Sequence, residues 1–287
     1  MPQTEISIDW LSFTSHEVEQ EGLFSGRMIK SLDDLSPRVE IKPFSGYREA
    51  MRWKTGVIAM RNLDRPEMGV HFIFSGEALR NMTDLGYDAL FIMRRALDAG
   101  CTFTIIHLAL DIRNGGYTPQ QLSEDFYADR YTGRARNGSI ITEKGRGATA
   151  YIGSWDSDRF IRYYDKAAEQ RVTGDWKRLE LVLKGTYAKA FAWEMQKEVS
   201  LVKVEEVMKG TVRAMVDMKD DRWKKFMAGT GAKLAMPKHK ENSTRAWILT
   251  QVARAIAKYI VQTGDEKIID DLGAEITKNY DDLIVSK

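Results

Sequence analysis

GATAYIGSWDSDRFIRYYDKAAEQ (147–170), followed by WKRLELVLK (176–184), is the stretch on which the reading of this chain turns. ATAYIGS (148–154) and RFIRYYDK (159–166) read as two strands joined through Trp155–Asp158, and WKRLELVLK as a third. Side chains alternate across a strand, so Phe160, Arg162, Tyr164 and Lys166 are expected on one face, with Ile161, Tyr163 and Asp165 on the other. One face therefore offers a phenol between two cations. A surface ladder with a half-buried tyrosine gives the same pattern. So does a phosphate-attacking tyrosine, whose phenolate and whose target are both steadied by positive charge. On the third strand Arg178, Glu180, Val182 and Lys184 share a face, while Leu179, Leu181 and Leu183 pack inward. Glu180 then sits between cations, as a metal ligand or as a member of cross-strand ion pairs.

Outward from this region, EISIDWLSFTS (5–15), VHFIFS (70–75) and TFTIIHLALD (102–111) also read as strands, and KTGVIAMRN has strand character. Residues 77–99 carry helical spacing, with Leu79, Met82, Leu85, Leu90, Ile92, Met93 and Leu97 as core contacts and Gly100 as the stop. Residues 118–130 read as a short helix with Pro119 at its first position. The Gly/Arg-rich segment 131–147 reads as a hairpin or long loop. From Tyr187 onward nearly everything reads as helix. Strands first and helices later argue for an α+β fold with a helical C-terminal part, divided near residue 200. On TFTIIHLALD, His107 and Asp111 share a face but lie about 13 Å apart along a straight strand. They can hold one metal only if the strand bends. The bland alternatives are a hydrogen-bonded core histidine and a turn aspartate before RNGG.

Composition excludes several classes. The chain has 287 residues, 43% of them hydrophobic, which rules out disorder and low-complexity architectures. Cys101, the single cysteine, forms no internal disulfide and fits a reducing cytoplasm. There is no signal peptide and no membrane-spanning run, so a cytoplasmic protein without membrane partners is expected. The net charge of +2 gives no global sign of a nucleic-acid partner. The charge is, however, unevenly placed. Arg134, Arg136, Lys144 and Arg146 face only Glu143. Residues 222–240 hold Arg222, Lys224, Lys225, Lys233, Lys238 and Lys240 with no acid, interleaved with Trp223, Phe226 and His239. Residues 265–282 hold seven acids against two lysines. Cations would track phosphates and aromatics would stack on unpaired bases; a solvated helix face with core aromatics is the alternative. STRAWILTQVARAIAKYIVQ carries an apolar stripe at Trp247, Ile248, Val252, Ile256, Tyr259 and Ile260, suited to core packing or dimerisation.

Four stretches together resemble the Rep_trans family of rolling-circle replication initiators: IDWLSFT (8–14), HFIFSGEALRNM (71–82), TIIHLALD (104–111) and the region 147–185. In the last, the family reads roughly Thr-x-Tyr-x-Gly-Ser-Arg-x-Ser-x-x-x-x-Arg-x-Tyr-x-Lys-x-x-Glu and then Arg-x-Glu-x-x-x-Lys. Thr149, Tyr151, Gly153, Ser154, Ser157, Arg162, Tyr164, Lys166, Glu169, Arg178, Glu180 and Lys184 match it. Ile105 and His107 depart from an Arg-x-Asp-Leu-Ala-x-Asp metal-strand motif, and Trp155 replaces Arg.

The resemblance implies an antiparallel-sheet, relaxase/HUH-like nicking domain over 1–200 and a helical DNA-binding or dimerisation region over 201–287. It implies Tyr164 as nucleophile, with Arg162 and Lys166 on phosphate and their charges favouring the phenolate. It implies Glu180 with His107 or Asp111 on a divalent metal, Mg²⁺ or Mn²⁺. Arg134, Arg136, Lys144, Arg146, Arg178, Arg222, Trp223, Lys224 and Lys225 are the candidate DNA contacts. The expected activity is nicking of one strand at a double-strand origin, leaving a 5′-phosphotyrosine and a free 3′-OH. The implied partners are origin DNA, its single-stranded nick region, a host helicase and polymerase, and a second copy of the chain. Two other readings use the same residues: a conjugative relaxase of a mobile element, disfavoured because the chain opens directly in the first strand, and a DNA-binding regulator on a decayed catalytic fold.

Overall fold

The computed structural model describes residues 2–16, 24–145, 147–231, 234 and 253–285. Among them, ten strands form one antiparallel sheet. In chain order they are β1 (Gln3–Ser15), β2 (Arg38–Glu40), β3 (Glu49–Trp53), β4 (Ile58–Arg61), β5 (Val70–Ser75), β6 (Thr102–Arg113), β8 (Gly138–Glu143), β9 (Gly147–Ile152), β10 (Arg159–Asp165) and β11 (Trp176–Lys184). Their spatial order is β2-β3-β4-β5-β1-β6-β11-β10-β9-β8; a separate ribbon pairs β7 (Tyr131–Gly133) with β12 (Val216–Met218). The long strands β1, β6 and β11 therefore run side by side in the middle of the sheet.

Alternation decides the two faces. Leu11, Phe13, Ile106, Leu108, Leu110, Ile161, Tyr163, Leu179, Leu181 and Leu183 are buried in the main core. Helices α6 (Gly185–Met195) and α7 (Leu201–Met215) pack on that side, contributing Ala188, Phe191, Val204, Val207 and Met208 to the same cluster. The residues between them along the strands, among them Ser7, Thr149, Arg162, Tyr164, Arg178 and Glu180, belong to the other face.

The periodicity over 77–99 yields two helices rather than one: α2 (Gly76–Asp84) and α3 (Ala89–Asp98). Gly86 takes a left-handed φ of 89°, and the Asp88 side chain accepts from the Phe91 amide at 2.7 Å, so the chain stops and restarts. Leu85, expected in the core, is 45% exposed in the break. Residues 24–35, unassigned from sequence, form α1 (Phe24–Leu35), and α4 is Pro119–Tyr127 with a Thr118 capping box. The Gly/Arg-rich segment supplies β7 and β8, the latter a hairpin partner of β9.

By packing, the chain divides into Met1–Met236 and Pro237–Lys287. Residue 200 falls inside the first unit, because α7, β12, α8 (Asp221–Phe226) and Leu234 bury Val204, Val207, Val212, Val216, Trp223, Phe226 and Leu234 in the sheet's core. Described helices of the second unit are α9 (Ala253–Thr263) and α10 (Ile268–Val285), joined through Gly264. Trp247, Ile248 and Val252 of the apolar stripe lie outside the described residues. No helix among the described residues is long and apolar enough to cross a membrane.

A chain ending at residue 200 loses several core side chains, each contributing about 1.5–3 kcal/mol of burial. It is expected to aggregate or melt far below the full protein. A chain ending at Met236 is expected to keep a cooperative transition near that of the full protein, read by circular dichroism.

Candidate active site

Strands β1, β8, β9, β10 and β11, with α2, line a polar cleft of about 510 Å³ whose residues include Asp9, Gly76, Arg80, Thr149, Tyr151, Arg162, Tyr164, Lys166, Glu169 and Glu180. Cross-strand register builds it: Arg162 stands opposite Glu180 and Tyr151, and Tyr164 opposite Arg178 and Thr149. The Tyr164 hydroxyl donates to Glu180 Oε1 at 2.6 Å, and Arg162 Nη2 donates to Glu180 Oε2. Glu180 is 1% exposed, so its carboxylate is held on both oxygens in a poorly solvated place. Arg162 Nε is a buried donor with no acceptor among the described residues.

Lys166 is not the last residue of a strand. Asp165 ends β10 and caps α5 (Lys166–Gln170), accepting from the Ala168 amide at 2.9 Å. The ammonium nevertheless lies 5.6 Å from the Tyr164 ring centroid, paired with Glu169. The two cations expected to favour phenolate are thus each matched by a carboxylate. The Tyr164 pKa is accordingly raised rather than lowered, first by burial and then by the neighbouring Glu180 charge. Tyr163 faces the core and donates to the Tyr117 carbonyl at 2.7 Å.

Arg178 and Asp111 belong to a different arrangement. Arg178 Nε and Nη2 donate to the two Asp111 oxygens at 2.8 and 2.6 Å, and Nη1 reaches Asp9 Oδ1 at 3.0 Å. Trp176 Nε1 adds a bond to Asp111 Oδ1 at 2.7 Å. Asp111 and Arg178 are both nearly buried and hold each other within the sheet. His107 shares the Glu180 face but stacks on Trp10, with ring centroids 5.5 Å apart. Burial lowers its pKa to about 4, with the Glu180 charge opposing, so the imidazole is neutral at pH 7.

Asp9 escaped the sequence reading. Pairing of β1 with β6 slips between Ile8 and Trp10, so Asp9 is the extra residue of a bulge. The bulge lets consecutive residues Asp9 and Trp10 both project from the polar face, one into the cleft and one against His107. Gly76 admits the carboxylate beside the start of α2: a Cβ there would meet Asp9 Oδ1 at 2.8 Å. The Asp9 pKa is raised, mainly by burial, with Glu180 adding in the same direction against Arg178. The acid of the IDW triplet, in the middle of an apolar strand, was the one available signal.

No group of three or more His, Cys, Asp or Glu in a metal-holding arrangement occurs among the described residues. Asp9 and Glu180 nonetheless line one cleft, close enough for one carboxylate to raise the pKa of the other.

Of the remaining candidates, Arg134, Arg136, Lys144 and Lys225 are exposed, and Arg146 lies outside the described residues, as do Lys233, Lys238, His239 and Lys240. Lys224 is exposed and pairs with Asp221. Arg222 is tied to Asp220 and the Gly116 carbonyl and lies over the Tyr117 ring. Trp223 is fully buried and donates to Asp217, so it is a core residue with no ring face open to a base. Phe226 is buried with it.

The replication initiation factor family profile matches residues 101–272, more than half of the chain and including β6, β9, β10 and β11. This chain belongs to the replication initiation factor family. The sheet of this family member is similar to that in the solved structure of a rolling circle replication initiator protein from Geobacillus stearothermophilus. The TM-score is 0.65 at 19% identity, covering 82% of this chain and 99% of that one. That likeness is one of fold. No curated protein matches the chain.

Replacing Arg178 by Met leaves the buried Asp111 and the half-buried Asp9 without their cation and is expected to cost about 3–5 kcal/mol in urea unfolding. Burial already holds the Asp9 pKa above its unfolded value, and losing Arg178 raises it further. Such a group favours the folded state below its unfolded pKa and loses that contribution as pH rises through the folded pKa. The deficit should therefore widen from acidic toward neutral pH.

Proposed function

We propose that this protein initiates rolling-circle replication by nicking one strand of a double-strand origin, with Tyr164 as the nucleophile. The observation that carries the proposal is the Tyr164 hydroxyl, 2.6 Å from a buried Glu180 carboxylate in a cleft that also holds Arg80, Arg162 and Lys166.

A phosphodiester entering the cleft meets three cations. Arg162 Nε, buried without an acceptor, suits a non-bridging phosphate oxygen. Tyr164 Oη attacks phosphorus in line while Glu180 Oε1, already its hydrogen-bond acceptor, takes the phenolic proton. The bond from phosphorus to the 3′ oxygen breaks, that oxygen takes a proton from water, and the 5′ phosphate stays joined to Tyr164. The raised Tyr164 pKa makes the carboxylate acceptor necessary, because the free phenolate is scarce near neutral pH.

Asp9 and Glu180 would offer carboxylate oxygens to a divalent cation such as Mg²⁺ or Mn²⁺, which is commonly held by one or two carboxylates with the rest of its shell from phosphate and water. When bound, it supplies charge to offset that developing on the phosphate. Exposed Arg134, Arg136, Lys144 and Lys225 extend phosphate contact beyond the cleft. A freed 3′-OH would prime a host polymerase behind a host helicase. We assign origin reading or dimerisation to the helical unit after Met236. A regulator without catalysis would have no use for the Tyr164–Glu180 pair.

The test is incubation with supercoiled plasmid carrying the cognate origin and Mg²⁺ or Mn²⁺, scored for nicking and a covalent protein–DNA adduct. Tyr164→Phe is expected to abolish the adduct. Tyr163→Phe is expected to retain it while losing about 1 kcal/mol of stability with its buried hydrogen bond. The reverse pattern, or no adduct from the unaltered protein with either metal, rules out the assignment. Gly76→Ala is expected to push the Asp9 carboxylate aside and raise the metal concentration needed for half-maximal nicking at least about tenfold, a shift of ~1.4 kcal/mol, with little change in melting.

A further inference from the structure

Beside the cleft, the turn from β9 to β10 carries an aromatic cluster that the attack on phosphate does not use. Trp155 is 50% exposed. Its ring lies 4.6 Å from that of Tyr151 and 5.3 Å from that of Phe160, centroid to centroid. Both neighbours tie it to the active site. Tyr151 lines the cleft and stands opposite Arg162, and Phe160 lies on the Arg162–Tyr164 face of β10. Phe160 and Tyr164 are four residues apart on one strand, about 13 Å. The cluster is therefore within a few nucleotides of any phosphate placed over Tyr164.

The turn is braced rather than loose. The Ser157 amide and hydroxyl both donate to the Ser154 carbonyl, at 3.0 and 2.7 Å, and the Asp156 amide reaches Ser154 Oγ at 3.3 Å. Lys184 Nζ donates to the Trp155 carbonyl at 2.7 Å and lies 5.0 Å from the Phe160 ring centroid. An indole fixed by two rings and a pinned backbone, yet half in solvent, loses little freedom on engaging a flat ligand. The cation behind it adds positive potential near a polyanion.

We propose that Trp155, supported by Tyr151 and Phe160, is a stacking platform for one unpaired base of the strand whose phosphate occupies the Tyr164 cleft. The inference rests on the nicking reading of that cleft and adds a subsite to it. Stacking accepts any base, since every base has a π face, so the platform holds the strand without reading its sequence.

The probe is a fluorescein-labelled oligothymidylate of about twenty nucleotides, long enough to exceed common single-strand site sizes, with an abasic oligomer of equal length as control. Binding to the full chain is read by anisotropy in EDTA, where no metal-dependent cleavage intervenes. The unaltered protein is expected to prefer the oligothymidylate. Trp155→Ala is expected to weaken that binding at least about fivefold, the lower end of what one stacked base contributes, and Trp155→Phe to retain most of it. The abasic oligomer is expected to bind the unaltered protein and Trp155→Ala alike. Equal binding of both oligomers by the unaltered protein, or of oligothymidylate by the unaltered protein and Trp155→Ala, overturns the platform. Should Trp155→Ala fail to fold, an iodouracil-substituted oligomer photo-crosslinked to the unaltered protein is expected to mark the peptide bearing Trp155; crosslinks only elsewhere also overturn it. A platform result without a Tyr164 adduct in the plasmid assay would instead refute nicking alone.

Discussion

Arg178 crosses the middle of the sheet and joins three neighbouring strands through charge: Asp111 on β6 by two parallel bonds and Asp9 on β1 by a third, all from β11. An ion group of this kind, nearly out of water, gains little net stability against an apolar replacement of the same volume, but it is costly to leave half made. Its consequence here is positional. The bulge that brings Asp9 into the cleft sits where the guanidinium can reach it, and alternation along β11 puts Glu180 two residues beyond Arg178 on the same face. One strand thus supplies the cation that holds Asp9 and the carboxylate that faces Tyr164.

That division explains why two residues of similar sequence prominence have different surroundings. Asp111 and Glu180 are both acids at even spacing on central strands. Asp111 accepts three bonds from Arg178 and Trp176, whereas Glu180 meets a phenol and a guanidinium that themselves face an open cleft. The charge around Tyr164 is balanced internally, Arg162 by Glu180 and Lys166 by Glu169, and burial together with the Glu180 charge holds the phenol in its protonated form. The near-neutral net charge of the chain is a sum of unlike parts, with basic stretches at 134–146 and 222–240 offset by the acidic stretch at 265–282.

Much of the fold was legible because alternation is a local property. The strands at 102–111, 148–154, 159–166 and 176–184 all appear, and the face shared by Phe160, Arg162 and Tyr164, with Tyr163 opposed, follows from the period of two alone. The failures have two causes, local capping and burial by distant elements. Gly86 and Asp88 split a helix whose apolar spacing ran through them, because left-handed backbone and a cap outrank periodicity. Lys166 left the strand pattern because Asp165 capped a helix. Trp223, read beside a run of cations, is buried because α8 continues the core beyond residue 200.

By itself, the sequence determined the period of each strand, the side of β10 on which Tyr164 stands and its adjacency to Arg162, since these depend only on residues a few positions apart. The tertiary structure alone decided which acid faces which cation. Asp9 and Arg178 are 169 positions apart, and Arg178 and Asp111 are 67 apart. Their meeting depends on strand order and on a single-residue slip between β1 and β6, quantities fixed by packing of the whole sheet and written in no local pattern.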